Sequence, residues 1–387
     1  MEKFKEMYGV IFKEEWEYWV GGILLAILAI LMWIWGQPWA MIGGYRNWGN
    51  WFLTGIGIFH GKRLISPLLD PKSIMALGII FGAFTAALIS GDFGLRMPPW
   101  FELLKGAIGG VLMGFSAVVA GGCNVGGFYS QFAALSASGI FMWIGLIIGV
   151  ILALKYLGWE MEHIPSNVLS AGISLPPAPS AWKRFQPILG WILFILIFFM
   201  PLLYGNHTRH GVLATIALLA GFVMHRSRFC FVAAFRDPFM TGESHKTQGL
   251  ILSVLIVVLG VGMIKWLGII KWYRYVFPNA GWGGIVGGII FGFGMTIAGG
   301  CGSGTLFRVG EGQLKLWMTL VTMAISNSLT KSWLWPKVKA HTLSFGKAIY
   351  LPKSIGWPWA FIIIIAVMLI WYFFVLWNEE SNKCVVL

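Results

Sequence analysis

GGVLMGFSAVVAGGC at Gly109–Cys123 and GGIIFGFGMTIAGGC at Gly287–Cys301 decide how this chain is read. Aligned without a gap, the two stretches share Gly109/Gly287, Gly110/Gly288, Gly114/Gly292, Phe115/Phe293, Ala120/Ala298, Gly121/Gly299, Gly122/Gly300 and Cys123/Cys301. Most of the remaining pairs exchange one apolar residue for another. Each copy predicts an apolar helix that ends in two glycines and a cysteine. A loop of small residues follows, Asn124-Val-Gly-Gly in one copy and Gly302-Ser-Gly-Thr in the other. Two matching hydrophobic segments that present two matching thiols predict one site built from two halves.

The composition around them describes a chain dissolved in lipid. Hydrophobic residues make up 58% and charged residues 11% of the 387, where soluble domains carry about 25% charged residues. The mean hydropathy is +0.77. Several apolar runs have the roughly 20 residues that a helix needs to cross a hydrocarbon layer of about 30 Å. The expected fold is therefore an all-α polytopic membrane protein with about nine full spans plus short re-entrant or broken helices. The +13 net charge does not point to nucleic acid. Lys and Arg lie between the apolar runs, around Lys183-Arg184 and in Lys337–Lys353, where anionic lipid attracts them. Many of the 22 tryptophans sit near segment ends, as an interfacial aromatic belt requires. The start of the chain, with Lys3, Lys5 and Lys13 but also Glu14, Glu15 and Glu17, reads as an uncleaved amphipathic lead-in to the first span.

The expected spans run in order. Tyr18–Trp35 is followed by a short apolar piece, Trp51–Phe59, then Ile74–Ile89, Leu103–Gly121 and Phe141–Leu157. The pattern restarts with Ile188–Leu203, a short Val212–Met224, Leu250–Leu267, Gly283–Gly300 and Leu314–Leu329, and Pro358–Trp377 is an extra last helix. This divides the chain into an N-terminal half at 1–164, a Pro-rich linker at 165–187, a C-terminal half at 188–335, and a basic loop with the extra helix at 336–387. Asp70-Pro71 and Asp237-Pro238 fall at matching places, and Lys62-Arg63 stands where the second half has Cys230. If the short pieces cross, each half has five crossings and the repeats are inverted; if they only dip, each has four and the repeats are parallel. The inverted arrangement is the reading adopted. Lys and Arg in loops on both sides leave the orientation open.

The candidate site follows from the same motif. Gly110/Gly114 and Gly288/Gly292 form GxxxG pairs suited to close helix packing. Non-helical backbone at membrane depth survives only buried in protein or lining a wet cavity, and a helix beginning there offers N–H groups to an anion. Gly121, Gly122, Asn124, Gly299, Gly300, Gly302 and Ser303 are therefore expected to line a path beside Cys123 and Cys301. A third thiol, Cys230, lies in HRSRFCFVAAFRDP at His225–Pro238, where Arg228 and its neighbours interrupt an apolar region. This reads as a re-entrant hairpin that carries Cys230 inward with Arg228. Arg308 and Glu311 are spaced to pair on a helix surface. None of the four cysteines forms a CxxC pair and the histidines are scattered, so neither a metal nor a cofactor is expected; Cys384 reads as incidental. A buried thiol is a weak, soft, neutral donor, which fits a small anion with one soft end and one charged end.

At these residues the sequence resembles the YeeE/YedE family of prokaryotic sulfur-transport membrane proteins. The resemblance rests on GDFGLRMPP at 91–99, AGGCNVGGFYS at 120–130, RSRFCFVAAFRDPFMTG at 226–242 and FPNAGWGGIVGGIIFGFGMTIAGGCGSGTLFRVGEGQLKLW at 277–317. It implies a multi-pass protein of the prokaryotic inner membrane whose broken helices meet near the midplane. It also implies that Cys123, Cys230 and Cys301 are the central thiols, which in thiosulfate-uptake members relay the ion through S–H contacts. A small cytosolic sulfurtransferase of the TusA type is the partner implied. The stretch at 277–317 resembles the YedE branch, associated with selenium metabolism, so a selenium compound is the alternative to a sulfur-containing anion such as thiosulfate. The alternative outside transport is a membrane thiol enzyme that forms a persulfide or disulfide.

Overall fold

A computed structural model describes residues 8–61, 64–165, 180–271, 275–336 and 346–386 of the chain. Within them the secondary structure is helical apart from three isolated bridges, Arg96 to Gln313, Ser136 to Tyr350 and Ala280 to Lys347. The helices follow a unit that occurs four times: a long helix, a break, a short helix, then another long helix. The first unit is α1 (Tyr18–Ile34), a break at 35–41, α2 (Ile42–Gly55) and α3 (Pro71–Ser90). The second is α4 (Trp100–Val119), a break ending at Cys123, the short α5 (a π-helical turn Asn124–Tyr129 running into Ser130–Ala133) and α6 (Ser138–His163). A connecting helix, α7 (Ser180–Phe198), precedes the third unit. That unit is α8 (Thr208–Arg226), a break ending at Cys230, α9 (Phe231–Met240) and α10 (His245–Trp266). The fourth is α11 (Trp282–Ala298), a break ending at Cys301, α12 (Gly302–Gly310) and α13 (Leu314–Leu329). A last helix, α14 (Trp357–Ser381), packs on α10. Among the described residues, seven helical stretches are long and apolar enough to cross a membrane, and α1 is a shorter apolar helix beside them. The protein is a multi-pass helical membrane protein.

Packing between units is reciprocal. In the first and third units, α1 lies on α10 and α3 on α8; in the second and fourth, α4 lies on α13 and α6 on α11. The short helices cross over: α2 packs on α13 and α12 on α3, while α5 packs on α10 and α9 on α6. Glycine permits this closeness. A β-carbon on Gly149 of α6 would overlap the Ile289 carbonyl of α11, and one on Gly82 of α3 would overlap that of Leu218 on α8. The GxxxG pairs do pack helices, though not against each other: Gly110 and Gly114 face α13, and Gly288 and Gly292 face α6.

The halves are inverted. Trp16 N donates to Arg226 O at one end of the α1–α8 pair, and Arg209 donates to the Trp35 and Gly36 carbonyls at the other, so α1 and α8 are antiparallel. In α4 and α11, Gly109 meets Ala298 while Ala120 meets Gly287, again antiparallel. With the short helices set aside, each half keeps four long helices, α1, α3, α4 and α6 in the first and α8, α10, α11 and α13 in the second, and α7 connects the two halves. Val212–Met224, expected as the short piece, belongs to the 19-residue α8, the counterpart of α1. The counterpart of the Cys230 break is therefore 35–41; Lys62-Arg63 lies outside the described residues. Asp70 caps α3 through Ser73 N at 2.9 Å, whereas Asp237-Pro238 lies inside α9, so these two are not equivalent. The expected linker at 165–187 is helical from Ser180 onward, and 166–179 lies outside the described residues.

The two ends of the bundle differ in charge. Glu15, Asp92, Glu102, Glu160, Asp237, Glu311 and Glu379 lie towards one end, the carboxylate end. Arg46, Lys72, Arg209, Lys271, Lys331, Lys347 and Lys353 lie at the opposite, cationic end, where Asp70 is the one described carboxylate.

Gly149→Val is expected to lower stability by about 1–3 kcal/mol or more through overpacking, read as a lower unfolding midpoint in detergent. Gly55→Ala, where a β-carbon meets nothing within 4 Å, should leave the midpoint unchanged.

Candidate functional site

The four breaks meet in the interior, two reaching in from each end. Cys123, Cys230 and Cys301 are all fully or almost fully buried free thiols, and each occupies the same position, the N-cap of a short helix in extended conformation. Cys301 performs the capping itself, its Sγ accepting from Gly304 N at 3.2 Å. Ser303 Oγ lies 3.6 Å from the same sulfur. The Sγ of Cys123 faces the backbone N–H groups of Val125, Gly126 and, from the cysteine-free first break, Met41.

Gly302 and Gly304 of α12 show how near the thiols come. A β-carbon on Gly302 would lie 3.0 Å from Cys123 Sγ and 3.8 Å from Asn124 Oδ1. One on Gly304 would lie 3.2 Å from Cys301 Sγ and 3.8 Å from Cys230 Sγ. All three sulfurs thus lie close around the first turn of α12, and glycine at 302 and 304 is what lets them approach its backbone. Asn124 lies against Cys301; it is fully buried, and neither amide atom has a partner that meets hydrogen-bond geometry. Thr305 Oγ1 is likewise buried without a partner. Unpaired polar atoms in a water-poor interior are costly unless something binds there.

On the cationic end a cavity of about 170 Å³ ends against Gly122 and Gly126, the neighbours of Cys123 in the second break. Ala40, Gly121, Gly122 and Gly126, all from the first two breaks or just beyond them, line it, and Arg46, Lys72 and Lys331 supply its charge. Gly121 has φ +78, and a β-carbon there would press on Asn279 Oδ1, so glycine is required by both conformation and space. Gly122 packs on the backbone of Gly126 and Gly127. On the carboxylate end, Gly299 (φ +73) and Gly300 form the fourth break, with Gly300 facing Thr305 and Leu316.

The structure therefore brings together Cys123, Cys230, Cys301, Asn124, Gly302 and Ser303. Arg228 takes a different place. It adopts φ +50 and its guanidinium binds Glu15 at 2.9 Å and Glu311 at 2.7 Å. The expected Arg308–Glu311 pairing is corrected: Glu311 is taken by Arg228 and by His225 Nδ1 at 2.7 Å. Arg308 instead reaches the Gly299 carbonyl and, at 3.7 Å, Cys230 Sγ. Nor is Cys230 in a simple hairpin; it sits between two helices, α8 and α9.

Several contributors were not singled out from the sequence. The Tyr18 hydroxyl donates to Cys230 O at 2.9 Å and accepts from Cys230 N at 3.1 Å. The Tyr45 hydroxyl donates to Gly302 O at 2.7 Å. Asn279 Nδ2 donates to Val119 O at 2.6 Å, next to the second break. Nothing local marks the two tyrosines, because their partners are more than 200 residues away. Asn279 lay inside a recognised motif and was overlooked for its cysteine.

Comparison with known proteins assigns the chain to a family. The sulphur transport family matches residues 2–152 and 226–385, so the chain belongs to that family. Its relatives include the probable transporter YedE of Escherichia coli, 29% identical over 83% of this chain and 82% of the relative. The thiosulfate transporter TsuA of Escherichia coli is 35% identical over 30% of this chain and 32% of the relative. The thiosulfate transporter TsuA of Spirochaeta thermophila is 29% identical over 42% of this chain and 52% of the relative.

Gly302→Val, which would crowd Cys123 and Asn124, is expected to reduce transport by about tenfold or more, with the purified protein still monodisperse. Uptake at the wild-type rate would show that this contact is not on the route.

Proposed function

We propose that this chain is a permease of the prokaryotic inner membrane for a small sulfur-containing anion of the thiosulfate type, passed between neutral thiols at the centre of the bundle. The observation that carries the reading is the juxtaposition of a cationic cavity with three buried thiols around side-chain-free Gly302 and Gly304. The printed name of the two TsuA relatives supports the substrate class.

Each step has a physical reason. Arg46, Lys72 and Lys331 raise the local concentration of an anion at the cavity. Deeper in, a carboxylate at the breaks would repel it, and a cation at every step would hold it too tightly to release. Thiols do neither: they are weak S–H donors and soft partners for a terminal sulfur. The N-cap positions add backbone N–H groups and the positive ends of short helices, and the amide of Asn124 is free to donate to an oxyanion oxygen. Passage needs no covalent step, and the sulfurs should emerge unmodified.

A selenium-containing anion is the second reading. It rests on the resemblance of the 277–317 stretch to the YedE branch, and selenium is a soft partner for a thiol as sulfur is. A small sulfurtransferase of the TusA type, which would accept the delivered sulfur on the cytosolic side, is the partner proposed.

Cys123→Ala, Cys230→Ala and Cys301→Ala should each lower uptake of labelled thiosulfate into vesicles by about tenfold or more, and Cys384→Ala should not. If all three single variants transport normally, the thiol relay is wrong. Competition by selenium compounds separates the two substrates, and mass spectrometry after turnover should find no persulfide or disulfide.

A further inference from the structure

The thiol cluster is flanked by charge on both sides, but the two sides are unlike. Towards the cationic end the charges line a cavity that opens outward. Towards the carboxylate end a single guanidinium touches the cluster. Arg308, on the last turn of α12, places one terminal nitrogen on the Gly299 carbonyl and the other 3.7 Å from Cys230 Sγ. Lys315 joins it at the C-terminal end of α11, donating to Ile297 O at 3.1 Å and to Glu102.

A capping role accounts for part of this. The last carbonyls of α11 carry negative dipole charge, and a cation beside them is stabilising. Lys315 already fills that role, however, and is neutralised by Glu102. Capping by Arg308 needs one N–H group and does not explain why the second nitrogen faces a thiol. Nor is Arg308 held by the carboxylate three residues along, since Glu311 is occupied by His225 and Arg228 at 2.7 Å each. Ionisable side chains within membrane protein are expensive and usually serve the transported species.

Resting on the thiosulfate reading above, we propose that Arg308 is a translocation residue, the charge that draws the anion off the Cys230 and Cys301 thiols on the carboxylate-end side. Neutral thiols alone give a permeating anion no reason to move on. A guanidinium just beyond Cys230 supplies a planar pair of donors for oxyanion oxygens. Glu311, three residues further on and bound by His225 and Arg228, places a carboxylate near Arg308 without pairing with it, which keeps the anion from being trapped there. Arg228 and Glu15, both partly exposed, continue the charged zone to solvent.

The test uses the full chain in proteoliposomes with labelled thiosulfate. Arg308→Gln should lower the maximal uptake rate by about tenfold while the half-saturation concentration, set by the cationic cavity, stays within about twofold. Arg308→Lys, which keeps the charge, should recover a substantial part of the rate, and Lys72→Gln should instead raise half-saturation. An unchanged rate in Arg308→Gln, a change confined to half-saturation, or equal loss in the Gln and Lys variants would each overturn the proposal, the last by showing a cap of fixed shape. A second arm does not depend on the substrate. A neighbouring cation speeds thiol alkylation, so Arg308→Gln should slow N-ethylmaleimide modification of Cys230 while leaving Cys123 unchanged; equal rates at Cys230 would overturn the contact itself. Wild-type vesicles that take up no thiosulfate would sink the substrate reading, and the alkylation arm would then decide on Arg308 alone.

Discussion

A helix broken inside a membrane has backbone groups that no water can reach, and this constraint organises the molecule. Four long helices stop short and restart as α2, α5, α9 and α12, and the groups left at each break must be paired by protein. The partners come from elsewhere in the chain. Tyr18 of α1 brackets the Cys230 peptide, and Tyr45 of α2 takes the Gly302 carbonyl. Ser130 Oγ takes Trp39 O at 2.6 Å, Lys265 Nζ takes Ala134 O at 2.8 Å, and Asn279 takes Val119 O. A break is therefore stable only where other units surround it, so four breaks collect at one place.

Cysteine suits that place because it caps poorly. Ser, Thr, Asp or Asn at an N-cap would bind the exposed N–H groups firmly, and an aspartate would also close the path to anions. A thiol accepts weakly, as Cys301 does from Gly304 N, and an incoming anion can displace it at little expense. The small side chain also fits against Gly302 and Gly304, where an added β-carbon would crowd the sulfurs of Cys123 and Cys301. On the proposed relay, the residue that makes a mediocre helix start would make a usable step for a passing ion. The cysteine-free break shows the contrast, since Met41 contributes its backbone to Cys123 while Trp39 packs edge-on against Tyr129 and Phe231.

Much of this was legible because membrane burial leaves plain marks. Hydropathy gave the helical class, and the doubled Gly-Gly-Cys motif marked two of the breaks and the thiols that share them. The register of the repeat was misread where hydropathy is least informative. Gly205–Met240 is one continuous apolar stretch containing a break, so α8 looked short. The break at 35–41 passed unnoticed because its apolar Trp35, Trp39 and Met41 resemble the span before it. Arg308 was misassigned for a different reason: spacing of three on a helix finds neighbours on one surface, but α12 ends at Gly310 and Glu311 turns away to His225 and Arg228. Local rules could not foresee a partner from another break.

The charge asymmetry between the ends was hidden for a similar reason. Basic side chains occur at both ends, so their distribution along the sequence carries no direction. Carboxylates carry it, and only after the second half is recognised as inverted do Glu15, Asp92, Glu311 and Glu379 fall on one side. The result is a net positive cavity at one end and a largely neutralised network at the other, separated by uncharged sulfur. An anion drawn into the first must shed its hydration where three cations offset the loss. On the proposed route the thiols come next, with Arg308 3.7 Å from Cys230 Sγ as the following cation. On that proposed route a cation would meet repulsion at Arg46, Lys72 and Lys331 before it reached the thiols. On the proposed reading, the arrangement that favours a soft anion is also the one that disfavours positive ions.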